Sequence, residues 1–175
     1  HGAAGITCAK VSEAEVMADG GAEDIFIAYP MVGDFRIKRA IALAGRLKRL
    51  ILAVDSMECA MPLNEAAKAA GITLEVRLEV DTGAKRTGVR RTKAAELAKE
   101  IHQLSNLNLT GIYTFKSLVY HDEPTEDKVI AGAEEGDMME AIAEEIRKAG
   151  VPIAEISAGS TLSLIHISEP TRLDV

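Results

Sequence analysis

A chain of 175 residues with 47% hydrophobic side chains has room for one ordinary domain and enough apolar surface to build its core. A net charge of −7 excludes nucleic acid as a default partner, which needs a basic face, and 3% aromatics without tryptophan leave little to stack on bases. Cys8 and Cys59 are too few for a disulfide framework or metal cluster, no apolar run of about 18 residues indicates a membrane span, and no basic-then-apolar leader opens the chain, so a reducing, cytoplasmic setting is expected.

Short β-prone runs then alternate with longer helical ones. In chain order the sequence predicts a strand over 5–9, a helix over 12–19, a strand over 24–29, a helix over 34–47 and a strand over 49–54. A helical region around 64–70 and a strand over 72–81 follow, then a helix over 92–104, a strand over 109–115, a helix over 134–149 and a strand over 153–157. The helix at Thr92 carries a capping residue and an apolar stripe of Ala95, Leu97, Ala98, Ile101 and Leu104. Met138, Met139, Ile142, Ala143 and Ile146 give the last helix its stripe, and Gly150 stops it.

Strict alternation implies parallel strands joined by helical crossovers, in an open doubly wound sheet or a (β/α)8 barrel. The run 74–81 favours the barrel. Leu74, Val76, Leu78 and Val80 alternate with Glu75, Arg77, Glu79 and Asp81, and four charges on one face need water, partners or a ligand. Strands of an open α/β sheet are usually apolar on both faces, whereas a barrel strand turns its polar face to the lumen near the site. The expectation is an α/β fold, a partial (β/α)8 TIM barrel of six β/α units where eight close the ring.

Three strand ends carry chemistry, where a barrel keeps its active site. In V-D-T-G-A-K-R-T-G-V (residues 80–89), Gly83 and Gly88 permit tight turns around Arg86, and Glu79 is placed to pair with it; a surface turn with solvated charges is the alternative. S-A-G-S-T (residues 157–161) offers small residues, hydroxyls and N–H groups to an anion such as phosphate, although ordinary Ser/Gly loops are common. In G-I-Y-T-F-K-S (residues 111–117), Tyr113 and Phe115 share a face, so Phe115 offers its ring to a planar cofactor or else belongs to the core.

These runs, preceded by G-I-T-C-A-K-V-S-E-A-E-V-M (residues 5–17), occur in an order and spacing that resemble the alanine-racemase-like barrel of fold-type III pyridoxal-phosphate enzymes, specifically the D-threonine aldolase and D-serine dehydratase branch. The resemblance covers residues 1–161. It implies that Arg86 lies near the cofactor ring with Glu79 steadying it, that Phe115 packs on the pyridine ring, and that Ser157, Gly159, Ser160 and Thr161 hold the phosphate. His121 falls in a loop where aldolase-type members also carry a histidine, although a lone loop histidine is usually solvated.

The resemblance further implies no catalytic residue within this chain. The Schiff-base lysine is expected upstream, and the metal ligands in a missing C-terminal β-domain. Lys10 is then peripheral, and Lys85 and Lys116 are solvated. Residues 162–175, L-S-L-I-H-I-S-E-P-T-R-L-D-V, read as a non-native tail, so His166 is no ligand.

The activity implied is a lyase acting on a D-3-hydroxy amino acid. Retro-aldol cleavage of D-threonine-type substrates and dehydration of D-serine both fit, with pyridoxal 5'-phosphate as electron sink and a divalent metal assisting in the complete enzyme, which is compatible with a homodimer. The fragment itself is expected to be inactive. Open alternatives are a non-catalytic pyridoxal-phosphate carrier, an amino-acid racemase of the same barrel, and a phosphate-binding barrel unrelated to the cofactor.

Overall fold

The computed structural model of the chain describes residues 3–159. Ser160, Thr161 and the tail at 162–175 lie outside the described residues, so the expectations placed on them are not addressed by the fold.

Among the described residues, fifteen elements realise the alternation, seven of them strands of one sheet. Strand β1 (Ile6–Cys8), helix α1 (Val11–Asp19), β2 (Asp24–Ile27), α2 (Asp34–Ala44), β3 (Arg49–Val54) and α3 (Met57–Ala70) lead into β4 (Leu74–Asp81). A two-residue strand β5 (Val89–Arg90), a 3-10 turn (Arg91–Lys93), α4 (Ala94–His102), β6 (Leu107–Tyr113), the pair β7 (Val119–Tyr120) and β8 (Glu123–Pro124), α5 (Lys128–Lys148) and β9 (Glu155–Ser157) complete the order. The sheet runs β1-β2-β3-β4-β6-β9, with β5 alongside β4. The β1–β2, β2–β3 and β6–β9 pairs are all parallel. A doubly wound sheet reverses its strand order at a switch point; this order never reverses, as in a singly wound barrel.

Contacts gather into two compact units, one of His1–Arg77 with Glu100–Leu109, the other of Leu78–Lys99 with Thr110–Val175. The first has its core in the continuous apolar strands β2 and β3, where Ile25, Ile27, Leu52 and Val54 are fully buried beside Ala40, Leu43, Ala60 and Leu63 from α2 and α3. The second buries Leu78, Val80 and Ile112 with Met139, Ile142, Ala143 and Ile146 of the stripe expected of α5, whereas Met138 is only half-buried. No helix among the described residues is long and apolar enough to cross a membrane. Cys8 and Cys59 are free and buried.

Every charge on the polar face of β4 has a partner, which is how that face is tolerated. Glu75 accepts two hydrogen bonds from Arg49, at 2.9 and 2.7 Å. The Arg77 guanidinium lies 4.7 Å from the centroid of the Phe26 ring. Glu79 accepts from two hydroxyls, and Asp81 Oδ1 accepts the N–H groups of Gly83 and Lys85, both at 3.0 Å.

Several boundaries differ from the sequence expectation. Helix α3 begins at Met57 rather than near 64, because Ser56 caps it through the Cys59 N–H at 3.3 Å and its stripe of Cys59, Ala60, Leu63 and Ala67 is buried despite Pro62. Helix α5 begins at Lys128 rather than 134, capped by Asp127, whose carboxylate accepts from Val129 and Ile130 N–H at 3.0 and 3.2 Å. Thr92 sits inside the 3-10 turn and is not the cap of α4. The antiparallel pair β7–β8 was not anticipated; His121 and Asp122, with φ of 49° and 62°, form its two-residue turn, the positive-φ geometry that such hairpins require.

Candidate functional site

Glu79, Arg86, Phe115, His121, Ser157 and Gly159 all belong to the second compact unit. The loop after β4 is shaped by its glycines. Gly88 has φ of 98°, and a Cβ there would stand 2.7 Å from the Asp81 nitrogen and 2.9 Å from the Val80 carbonyl carbon, so the returning loop lies too close to β4 for any side chain. Arg86, held between the turns, places its guanidinium 5.1 Å from the centroid of Phe115. Strand β6 stops at Tyr113, and Phe115, two residues beyond, is 42% exposed whereas Tyr113 is buried. Phe115 is therefore partly open to solvent, an exposure that Tyr113 does not share.

The expected Glu79–Arg86 pair is replaced by another arrangement. Glu79, 4% exposed, accepts the Thr87 hydroxyl at 2.6 Å and the Tyr113 hydroxyl at 2.8 Å, while Arg86 turns out over Phe115. Glu79 thus contacts Thr87, the neighbour of Arg86 in the chain, rather than Arg86 itself. A second lock joins the same strand ends. The Thr114 hydroxyl donates to the Val80 carbonyl at 2.8 Å, so in the 2.7 Å contact between Thr82 and Thr114 it is Thr82 that donates.

Across the β6–β9 ladder, Tyr113 pairs with Ser157, and the Thr114 N–H donates to the Ser157 carbonyl at 3.0 Å. Gly111 makes this approach possible, since a Cβ there would fall 2.3 Å from the Glu155 carbonyl oxygen. Ser157 is therefore a strand neighbour of the segment bearing Phe115, and Gly159, two residues on, has φ of 105°. The donor set is a hydroxyl and turning backbone beside a cation-capped, exposed aromatic ring. It suits a planar aromatic ligand carrying an anion, and pyridoxal phosphate is of that kind.

Lysine 116 departs from expectation. It is 1% exposed rather than solvated, and its ammonium donates to Glu134, which also accepts the His121 N–H at 3.1 and 3.3 Å and lies 3.0 Å from His121 Nδ1. The adjacent Glu135, also buried, accepts the Lys116 N–H at 3.0 Å and the N–H of Gly159. Burial alone would raise the Glu134 carboxyl, but the hydrogen bonds from Lys116 and His121 outweigh it and hold it below the usual range. For Glu135 burial prevails and pushes its carboxyl up. His121 is itself exposed. Lys10 is exposed at the start of α1, and Lys85, also exposed, adopts φ of 53°. The Lys116–Glu134–Glu135 cluster was missed because K-S at the end of a β-run and E-E in a helix carry no local mark of burial.

The chain is similar to known proteins over most of its length. Residues 1–174 match the family described as alanine racemase, N-terminal domain. A D-threo-3-hydroxyaspartate dehydratase from Delftia sp. (strain HT23) is 32% identical over 177 residues, which is 99% of this chain and 45% of that protein. The crystal structure of a D-threonine aldolase from Filomicrobium marinum superposes with a TM-score of 0.83 at 31% identity, covering 94% of this chain and 44% of that one. An uncharacterized protein of Mycobacterium tuberculosis (strain ATCC 25618 / H37Rv) is 33% identical over 155 residues, 87% of this chain and 87% of its own length. The chain thus spans less than half the length of the two enzymes. Its six parallel strands and their helices form a half-barrel that matches part of the TIM-barrel domain of such proteins.

Proposed function

The chain belongs to the alanine racemase N-terminal-domain family, and we propose that it is the cofactor-binding barrel segment of a pyridoxal-phosphate-dependent lyase acting on a D-3-hydroxy amino acid, by retro-aldol cleavage or by dehydration. The observation that carries this reading is the Phe115 ring, open on one side and capped by Arg86, beside the Ser157–Gly159 turn across a parallel ladder. The names of the aldolase and dehydratase relatives support the substrate class.

Pyridoxal phosphate, when bound, supplies an electron sink for a carbanion at the substrate α-carbon. The chain's own residues do the holding. Phe115 provides a flat apolar face for the ring, and Arg86 a charge that persists at any physiological pH. Ser157 and Gly159, with Ser160 and Thr161 following, take the phosphate. Glu79, Thr87 and Tyr113 keep the Arg86 loop in place. Residues 162–175 are read as a non-native tail, a reading that the same codons at the genomic locus would sink.

In the complete enzyme, Arg86→Leu is expected to lower turnover of D-threonine or D-3-hydroxyaspartate on the order of a hundredfold, with cofactor retention changed far less. Equal losses of turnover and retention would remove Arg86 from its role at the ring. A non-catalytic pyridoxal-phosphate carrier of the same barrel is the alternative reading. A protein that binds and hands on the cofactor but turns over no D-3-hydroxy amino acid would select that reading.

A further inference from the structure

Strands β6 and β9 run parallel up to the bond from the Thr114 N–H to the Ser157 carbonyl, at 3.0 Å, and then part. Two residues further along each strand stand Lys116 and Gly159, whose N–H groups point to one acceptor in common, the carboxylate of Glu135 on α5. A side chain from a third element thus supplies the rung that the ladder no longer provides.

We propose that Glu135 is a positioning residue for the anion loop, setting the gap between the Phe115 segment and the Ser157–Gly159 turn by bridging the N–H groups of Lys116 and Gly159. The inference rests on the reading of that turn as the phosphate site. Glu135 is 2% exposed, so both N–H groups are satisfied away from water and leaving either one orphaned is costly. Lys116 is anchored a second time, through its buried ammonium on Glu134, so one end of the bridge is fixed and the loop end is the one that Glu135 adjusts. Gly159, with φ of 105°, is where the chain leaves the ladder, and holding its N–H fixes the direction of departure. Burial raises the Glu135 carboxyl, and the Lys116 charge close by lowers it in part.

Glu135→Gln keeps the shape but offers the two N–H groups a single neutral carbonyl oxygen in place of a carboxylate. The test titrates the parent chain, Glu135→Gln and Glu135→Asp with pyridoxine 5'-phosphate and with pyridoxine, alcohols that cannot link to surface lysines, and follows amide exchange at Gly159. Both variants are expected to bind pyridoxine 5'-phosphate roughly tenfold more weakly, to bind pyridoxine as the parent does, and to lose protection at Gly159. Phosphate affinity unchanged in a folded variant, or both ligands weakened equally, overturns the positioning role. If the parent itself shows no preference for the phosphorylated ligand, the phosphate-site reading fails first and the inference falls with it.

Discussion

A buried carboxylate on a barrel strand is tolerated only when its oxygens are occupied, and Glu79 is occupied by Tyr113 and Thr87. Tyr113→Phe removes one donor and leaves the ring in place. It is expected to cost about 1–3 kcal/mol, read from the urea midpoint; an unchanged midpoint would show that the hydroxyl carries none of the support. Glu134 gives a pH-dependent counterpart. Its carboxyl is held low in the folded state, so its contribution is complete above the unfolded pKa, about 4.3, and is lost as pH falls through the folded value. Glu134→Gln leaves the Lys116 ammonium buried without its counter-charge and should destabilise by roughly 3 kcal/mol at neutral pH. The gap to the parent should close in acid, and a gap constant across the acid range counts against the ion pair. Glu135, with its pKa raised, works in the opposite sense, its stability contribution falling as pH climbs from the unfolded to the folded value.

Caps decide where two helices begin. Helix α5 contains Gly132 and Gly136, each costing about 1 kcal/mol against alanine in a helix interior. Its first turn therefore leans on Asp127, which accepts from Val129 and Ile130 N–H. Asp127→Ala should cost about 1 kcal/mol and speed hydrogen exchange at those two amides while the distant Ile142–Ile146 turn stays protected. Uniform exchange along α5 in parent and variant would mean the cap does not govern the first turn. That turn precedes Glu134 and Glu135, so a local change of helix start reaches the carboxylates that hold the Lys116 segment.

For the chain as a whole, six of the strands of a barrel are present in unreversed order, and β1 and β9 stand at the ends of the sheet path. Among its lysines, Lys116 is committed to Glu134 and Lys10 stands exposed at a helix start. Mixed with pyridoxal phosphate, the chain is expected to hold the cofactor without a covalent link and to show no turnover. A visible absorbance band that survives dialysis and disappears in Lys116→Ala or Lys10→Ala would show that this chain carries its own linking lysine.

The alternation of elements, the parallel order, the polar face of β4 and the loops around Arg86, Phe115 and Ser157 could all be read from the sequence. Hydrophobic period, turn glycines and helix stops act over a few residues, so their signal survives in one dimension. What fills each loop was settled only in three dimensions. Glu79 meets Tyr113 rather than Arg86, Thr82 meets Thr114, and Lys116 is buried on Glu134, over sequence separations of 34, 32 and 18 residues. Those choices depend on strand register and on where α5 crosses the strand ends. A charged residue at a strand end looks the same in sequence whether water or a buried carboxylate awaits it.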